Sequence, residues 1–176
     1  TLQTDFIQER KLAALKNPVS TPGTMFLRKG GSMRWNLGQP VKTTALSDGK
    51  TIHLIDLEKK RARALPVDSS RARAFTLLGD SALNGGLNGF QNVFELVEAK
   101  MTQGIYQLTT RPKDRSLRKQ MPWVFFDIDP KLNQLRALEV QLEDKSRIRT
   151  IFTKARINQA IPKGTFEFDL SGYKVY

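Results

Sequence analysis

Between Met25 and Leu57 the chain reads MFLRKGGSMRWNLGQPVKTTALSDGKTIHLIDL, with short apolar and β-branched runs separated by Gly-Gly, Gly-Gln-Pro and Asp-Gly breaks. Runs of this kind bounded by turn residues predict an antiparallel meander. Met33, Trp35 and Leu37 alternate with Arg34 and Asn36, so one face of this wall is apolar and the other wet. The predicted strands cover about 24–29, 32–37, 41–47 and 50–57, with Asp48-Gly49 as a two-residue hairpin turn. Residues 59–65 supply another short strand.

The pattern on either side is less uniform. Phe6, Gln8, Arg10 and Leu12 alternate like the start of a strand, whereas LAAL at 12–15 suits the end of a helix. Asn17-Pro18 and Thr21-Pro22-Gly23 predict two chain breaks. From Asp68 to about Leu87 the period changes: Asp68-Ser69-Ser70 is a helix start, and Ala72, Phe75, Leu78 and Ala82 fall at helical spacing. Gly79 and Gly85-Gly86 end or interrupt that helix. Strand signals return at Phe90–Ala99 and Gly104–Thr110, followed by a basic loop at Arg111–Gln120. Met121–Asp129 (MPWVFFDID) is the most aromatic run. Leu138, Val140 and Leu142 then alternate with Glu139, Gln141 and Glu143. Strands over Arg147–Ala155 and Thr165–Leu170 complete the pattern. About ten sequentially paired strands with one helical insertion predict a mainly β fold, a meander that curls into a barrel or half-barrel. A barrel of that size leaves room for a small ligand, and the helix has an apolar face with which to close its mouth.

Composition narrows the class. With 176 residues, 39% of them hydrophobic and 26% charged, the chain suits one well-buried domain over 1–176. No run approaches the roughly 20 apolar residues of a membrane-spanning helix. The first residue is Thr1, which predicts a processed or trimmed product. The absence of cysteine excludes disulfides, thiolate catalysis and zinc ribbons in this chain. Lys and Arg number 29 against 17 Asp and Glu, a net charge of +12 that attracts anionic partners.

Catalysis needs converging groups, and these are scarce. There is no Gly-x-Ser-x-Gly elbow, no glycine-rich phosphate fingerprint, and a single histidine, His53. Asp127 and Asp129 share a strand face beside Pro130, where a polar surface explains them better than acid–base work. The expectation is a protein that is not an enzyme and needs no metal or cofactor.

One further set of residues carries a family likeness. Phe26-Leu27-Arg28-Lys29-Gly30-Gly31-Ser32-Met33-Arg34-Trp35, then Pro40 and Leu46-Ser47-Asp48-Gly49-Lys50-Thr51, resembles the periplasmic outer-membrane lipoprotein carrier family, LolA. Phe6-x-Gln8 matches the family's Phe-x-Gln, and Leu142-Glu143-Asp144, Thr150-Ile151-Phe152, Asn158-x-x-Ile161 and Phe166-x-Phe168 continue the match in order.

The resemblance implies an incomplete antiparallel β-barrel closed by a helical lid, with an apolar cavity for lipoprotein acyl chains. It places Met33 and Trp35 in the cavity wall and Phe75, Leu77 and Leu78 on the lid helix. It assigns the lid latch to Lys29, with neighbouring Arg28 as its substitute. Family members have an amphipathic helix before Phe-x-Gln; five residues precede Phe6, so the expectation is that this N-terminal part of the lid is incomplete in this sequence. Implied partners are acylated lipoproteins, an inner-membrane lipoprotein-releasing ABC transporter and an outer-membrane lipoprotein receptor, met by a monomer in the periplasm. Two rival readings use the same residues. One is a LolA-like carrier or sensor of another lipid. The other is a basic nucleic-acid-binding module in which Trp35, Phe125 and Phe126 stack on bases. Because these aromatics lie within apolar alternation and are not interleaved with Lys and Arg, no nucleic acid is expected.

Overall fold

Alternation along the chain becomes the two faces of one sheet in the computed structural model, which describes residues 1–13, 16–66 and 90–176. The first six strands are β1 (Leu2–Lys11), β2 (Val19–Arg28), β3 (Ser32–Leu37), β4 (Thr43–Asp48), β5 (Thr51–Asp56) and β6 (Arg61–Pro66). A one-turn helix, α1 (Phe90–Val93), leads into β7 (Phe94–Thr102) and β8 (Ile105–Pro112). A second helix, α2 (Arg115–Gln120), precedes β9 (Trp123–Asp129), β10 (Gln134–Gln141), β11 (Arg147–Ile157) and the two-residue β12 (Lys174–Val175). The order across the sheet is β12-β6-β5-β4-β3-β2-β1-β11-β10-β9-β8-β7.

Two meanders, β1 to β6 and β7 to β11, are therefore joined by pairing β1 with β11, where Phe6 stands opposite Phe152. The sheet is open: its outermost strands, β12 and β7, are not bonded to each other. It is nevertheless strongly curved. At the usual spacing of about 4.8 Å, ten places from β6 to β7 would span about 50 Å if flat. Arg63 of β6 and Phe94 of β7 instead line the same cavity.

The inner face holds the main core. Leu2 and Phe6 of β1, Met25 and Leu27 of β2, Met33 of β3, Phe126 of β9, Leu138 of β10 and Phe152 of β11 pack with Phe90 and Phe94. The closest ring pair, Phe6 and Trp35 with centroids 4.4 Å apart, forms a knot with Phe152, whose centroid lies 6.1 Å from that of Trp35. Such tilted and edge-on ring pairs are favoured by their quadrupoles.

Gly23 makes this knot possible. A Cβ there would lie 2.2 Å from Phe6 Cζ. The predicted break at Thr21-Pro22-Gly23 is thus a continuous part of β2. Pro22 is tolerated because its carbonyl faces Gly38 N–H (2.8 Å), just past the end of β3, so no ladder donor is required of it on the β1 side.

Other expectations are also corrected. The basic loop at 111–120 contains α2, started by Asp114, whose carboxylate accepts the Leu117 N–H at 2.9 Å. Residues 165–170 are not a strand. They cross the outer face of β4 to β6, where Phe168, Leu170 and Tyr173 cover Leu46, Ile55 and Ala62. Arg34, on the wet side of β3, anchors this segment: Nη1 donates to Thr165 O at 3.0 Å, and its guanidinium stands 6.0 Å from the Phe168 ring centroid. The chain then ends in β12, parallel to β6. The N-terminal segment is strand through Lys11, while residues 14–15 of LAAL and the helix expected over 68–87 lie outside the described residues.

Candidate functional site

A cavity of about 1170 Å³ opens within the curve of the sheet. Its apolar wall follows from strand register. Trp35 and Leu37 of β3 stand beside Ala45 of β4, and Ala45 opposite Leu54 of β5. On the other side, Leu138 and Val140 of β10 lie opposite Phe126 and Val124 of β9. Of these, Trp35, Leu37, Ala45, Leu54, Val124, Leu138 and Val140 line the cavity, together with Leu142 and with Leu117 and Met121 from α2 and its end. Trp35, Leu37, Leu54 and Val140 are only half-buried, so the wall presents apolar surface for something to cover.

The mouth is charged. Arg10 stands on the β1 side with Glu143 and Asp144 nearby in the lining, and Lys59, Arg61 and Arg63 line the β5–β6 side with Asp56. Asp144 is engaged in its own turn, accepting the Ser146 N–H at 2.9 Å.

The expected site residues separate in space. Trp35 lines the cavity, whereas Met33 is buried one layer below it in the core. Arg28 lies on the outer side, donating to Ser32 Oγ at 3.1 Å with its guanidinium 4.7 Å from the Phe166 centroid. Lys29 is exposed in the β2–β3 turn. Phe75, Leu77 and Leu78 lie outside the described residues. Leu37, Val140 and Leu142 belong to the apolar alternation of their strands but carry no further mark of a site, and Ala45 and Leu54 carry none. Leu117 gives no such signal, because it lies in the basic stretch 111–120, and Met121 stands at the start of the aromatic run without marking a cavity position.

The two carboxylates considered for acid–base chemistry have structural partners. Asp127 pairs with Arg149, and Asp129 with Arg136 at 2.9 Å. The Arg136 hydrogen bond and the backbone N–H of Leu132 hold the Asp129 carboxyl below its ordinary pKa. His53 lies on the outer face of β5, opposite Leu46. Among the described residues no group of three acidic, His or Cys side chains converges as a metal site. No helix among them is long and apolar enough to cross a membrane. Of the aromatic residues considered for base stacking, Phe126 is 3% exposed against Phe90 and Phe94, Trp35 lines the cavity, and Phe125 is half-buried with the Arg147 guanidinium 5.7 Å from its ring centroid.

Comparison with known proteins agrees with this geometry. The family model described as "Outer membrane lipoprotein carrier protein LolA" matches residues 1–169. An outer-membrane lipoprotein carrier protein of Pseudomonas fluorescens is 27% identical over 152 residues, covering 85% of this chain and 68% of the relative. One from Pseudomonas putida is 24% identical over 174 residues, covering 97% of this chain and 76% of the relative. Among solved structures, an uncharacterized conserved protein from Thermus thermophilus superposes with a TM-score of 0.56 at 6% identity, covering 99% of this chain and 88% of that one, a likeness of fold alone. The match over nearly the whole length, on a curved open sheet with an apolar hollow, places this chain in the LolA family of outer membrane lipoprotein carrier proteins.

Proposed function

We propose that this chain is a periplasmic carrier, not an enzyme, that takes the acyl chains of lipoproteins into its cavity and conveys them from the inner to the outer membrane. The observation that supports it is the half-buried apolar wall of Trp35, Leu37, Leu54 and Val140 around about 1170 Å³. That volume is somewhat above the roughly 300–1,000 Å³ of ordinary small-molecule sites. Each buried methylene contributes about 0.8 kcal/mol, so a chain of about 16 carbons gains on the order of 10 kcal/mol on leaving water. Such a gain keeps a lipid soluble but opposes its release.

A lid solves the release problem. In this reading Phe75, Leu77 and Leu78 form the apolar face of a helical lid that packs on the empty cavity, so cargo must displace those contacts and its net affinity falls. Lys29 or Arg28 serves as the latch. The donor is an inner-membrane lipoprotein-releasing ABC transporter and the acceptor an outer-membrane lipoprotein receptor. The protein works as a monomer of one domain, without nucleic acid.

The test is uptake of a fluorescent acyl probe by Leu37→Glu, which sets a carboxylate in the middle of the wall. Burying an unpaired charge is costly enough to abolish binding. Thermal denaturation checks that the sheet is intact. A folded variant with undiminished uptake would move the acyl site elsewhere.

A further inference from the structure

The mouth of the cavity carries positive charge that an uncharged diacylglyceryl group does not need. Arg61 and Arg63 occupy alternate positions of β6, facing inward beside Asp56 and Leu54 of β5. Both are exposed, and neither has an ion pair or side-chain hydrogen bond among the described residues. Asp56, the cross-strand neighbour of Arg61, is occupied by Lys59: its Oδ1 accepts the Lys59 N–H at 2.9 Å, and Oδ2 lies 3.9 Å from Lys59 Nζ. Three cations thus meet one carboxylate on this side of the mouth.

Inward-pointing charges can also guard an exposed strand edge. On β6 that purpose is already served, because β12 pairs with Arg61 and Ala62 and Tyr176 O accepts the Ala64 N–H. Positions two apart on a strand stand about 6.6 Å from each other. Two guanidinium forks at that spacing can converge on one phosphate, whose tetrahedral oxygens accept paired N–H donors.

We propose that Arg61 and Arg63 hold the phosphate headgroup of an anionic two-chain lipid whose tails occupy the cavity. This rests on the acyl-carrier reading above and adds a ligand class to it: an anionic glycerophospholipid. The tails supply affinity and the arginines supply selection among lipids with the same tails.

The experiment compares binding of dipalmitoyl phosphatidylglycerol, dipalmitoylglycerol and chainless glycerol 3-phosphate to the whole chain and to Arg61→Gln/Arg63→Gln. Charge-assisted hydrogen bonds at a half-open site predict a preference for the phospholipid over the neutral lipid of about tenfold to a hundredfold. The preference should vanish in the glutamine variant, while dipalmitoylglycerol binding is unchanged. It should also shrink with added salt. Equal binding of the two lipids, or a preference that survives in the variant, overturns the headgroup site and leaves the carrier reading intact. Glycerol 3-phosphate binding as tightly as the phospholipid also overturns it, since the site would then serve free phosphate. Binding of neither lipid fails the carrier reading itself. Because both side chains are exposed, the variant folds; Arg61→Lys/Arg63→Lys, which keeps charge but loses the forks, should retain an intermediate preference.

Discussion

Gly23→Ala is the smallest change that should disrupt the cavity wall. The added Cβ would stand 2.2 Å from Phe6 Cζ, 2.4 Å from Phe6 Cε2 and 2.5 Å from Asn36 O. The ring has nowhere to go: Phe6 is 1% exposed and lies between Trp35 and Phe152. Even if it moved, the carbonyl of β3 would still be too close, so strands β2 and β3 must separate. Overpacking a filled core costs about 1–3 kcal/mol, and a clash with backbone as well as ring puts this site at the upper end, about 3 kcal/mol. For a chain of this length each kcal/mol lowers Tm by about 2–4 °C, so a drop of about 6–12 °C is expected. Differential scanning calorimetry measures it, and Trp35 fluorescence, read in a Trp123→Phe background, follows the wall during unfolding. In a Phe6→Leu background the same glycine substitution should cost less, but not zero, because the contact with Asn36 O persists. Acyl-probe binding should weaken in parallel, since Trp35 is pushed from its place in the lining. A Gly23→Ala protein melting within about 2 °C of the parent would refute the packing argument.

Two further substitutions test other parts of the structure. Arg34→Gln removes the donor to Thr165 O (3.0 Å) and the ring contact with Phe168; a loss of about 1–2 kcal/mol and faster proteolysis within 158–176 are expected, with acyl binding preserved because this side faces away from the cavity. Asp129 has its pKa held down by the Arg136 hydrogen bond, then by the backbone N–H groups of Leu132 and Lys131. A depressed carboxyl stabilises the fold above its unfolded pKa of about 3.9 and loses that contribution as pH falls through the folded value. Asp129→Asn should therefore flatten the fall in Tm below about pH 4, and an acid limb identical to the parent's would contradict the assignment.

Much of the architecture is written in local pattern. The alternation of Met33, Trp35 and Leu37 marks the inner face of β3, and Asp48-Gly49 marks the β4–β5 hairpin, because both depend only on side-chain period and backbone turn preference. The family could be read from collinear short motifs for the same reason: each one marks a strand, a turn or a core position.

Other features depend on contacts between distant residues. Thr21-Pro22-Gly23 reads as a break, yet it is strand because Phe6 fills the space that Gly23 leaves empty. Phe166 and Phe168 alternate like a strand, but the edge they would extend is taken by β12, so the segment covers the outer face of the sheet. Arg34 looks like a solvated position and is an anchor, because only folding brings Thr165 to it. The cavity itself is the clearest case. Periodicity says that a face is apolar, but not whether the face is covered, flat or hollow. The hollow arises from curvature set by pairing β1 with β11 across about 150 residues, which brings β6 and β7 around one space with Arg61 and Arg63 at its mouth.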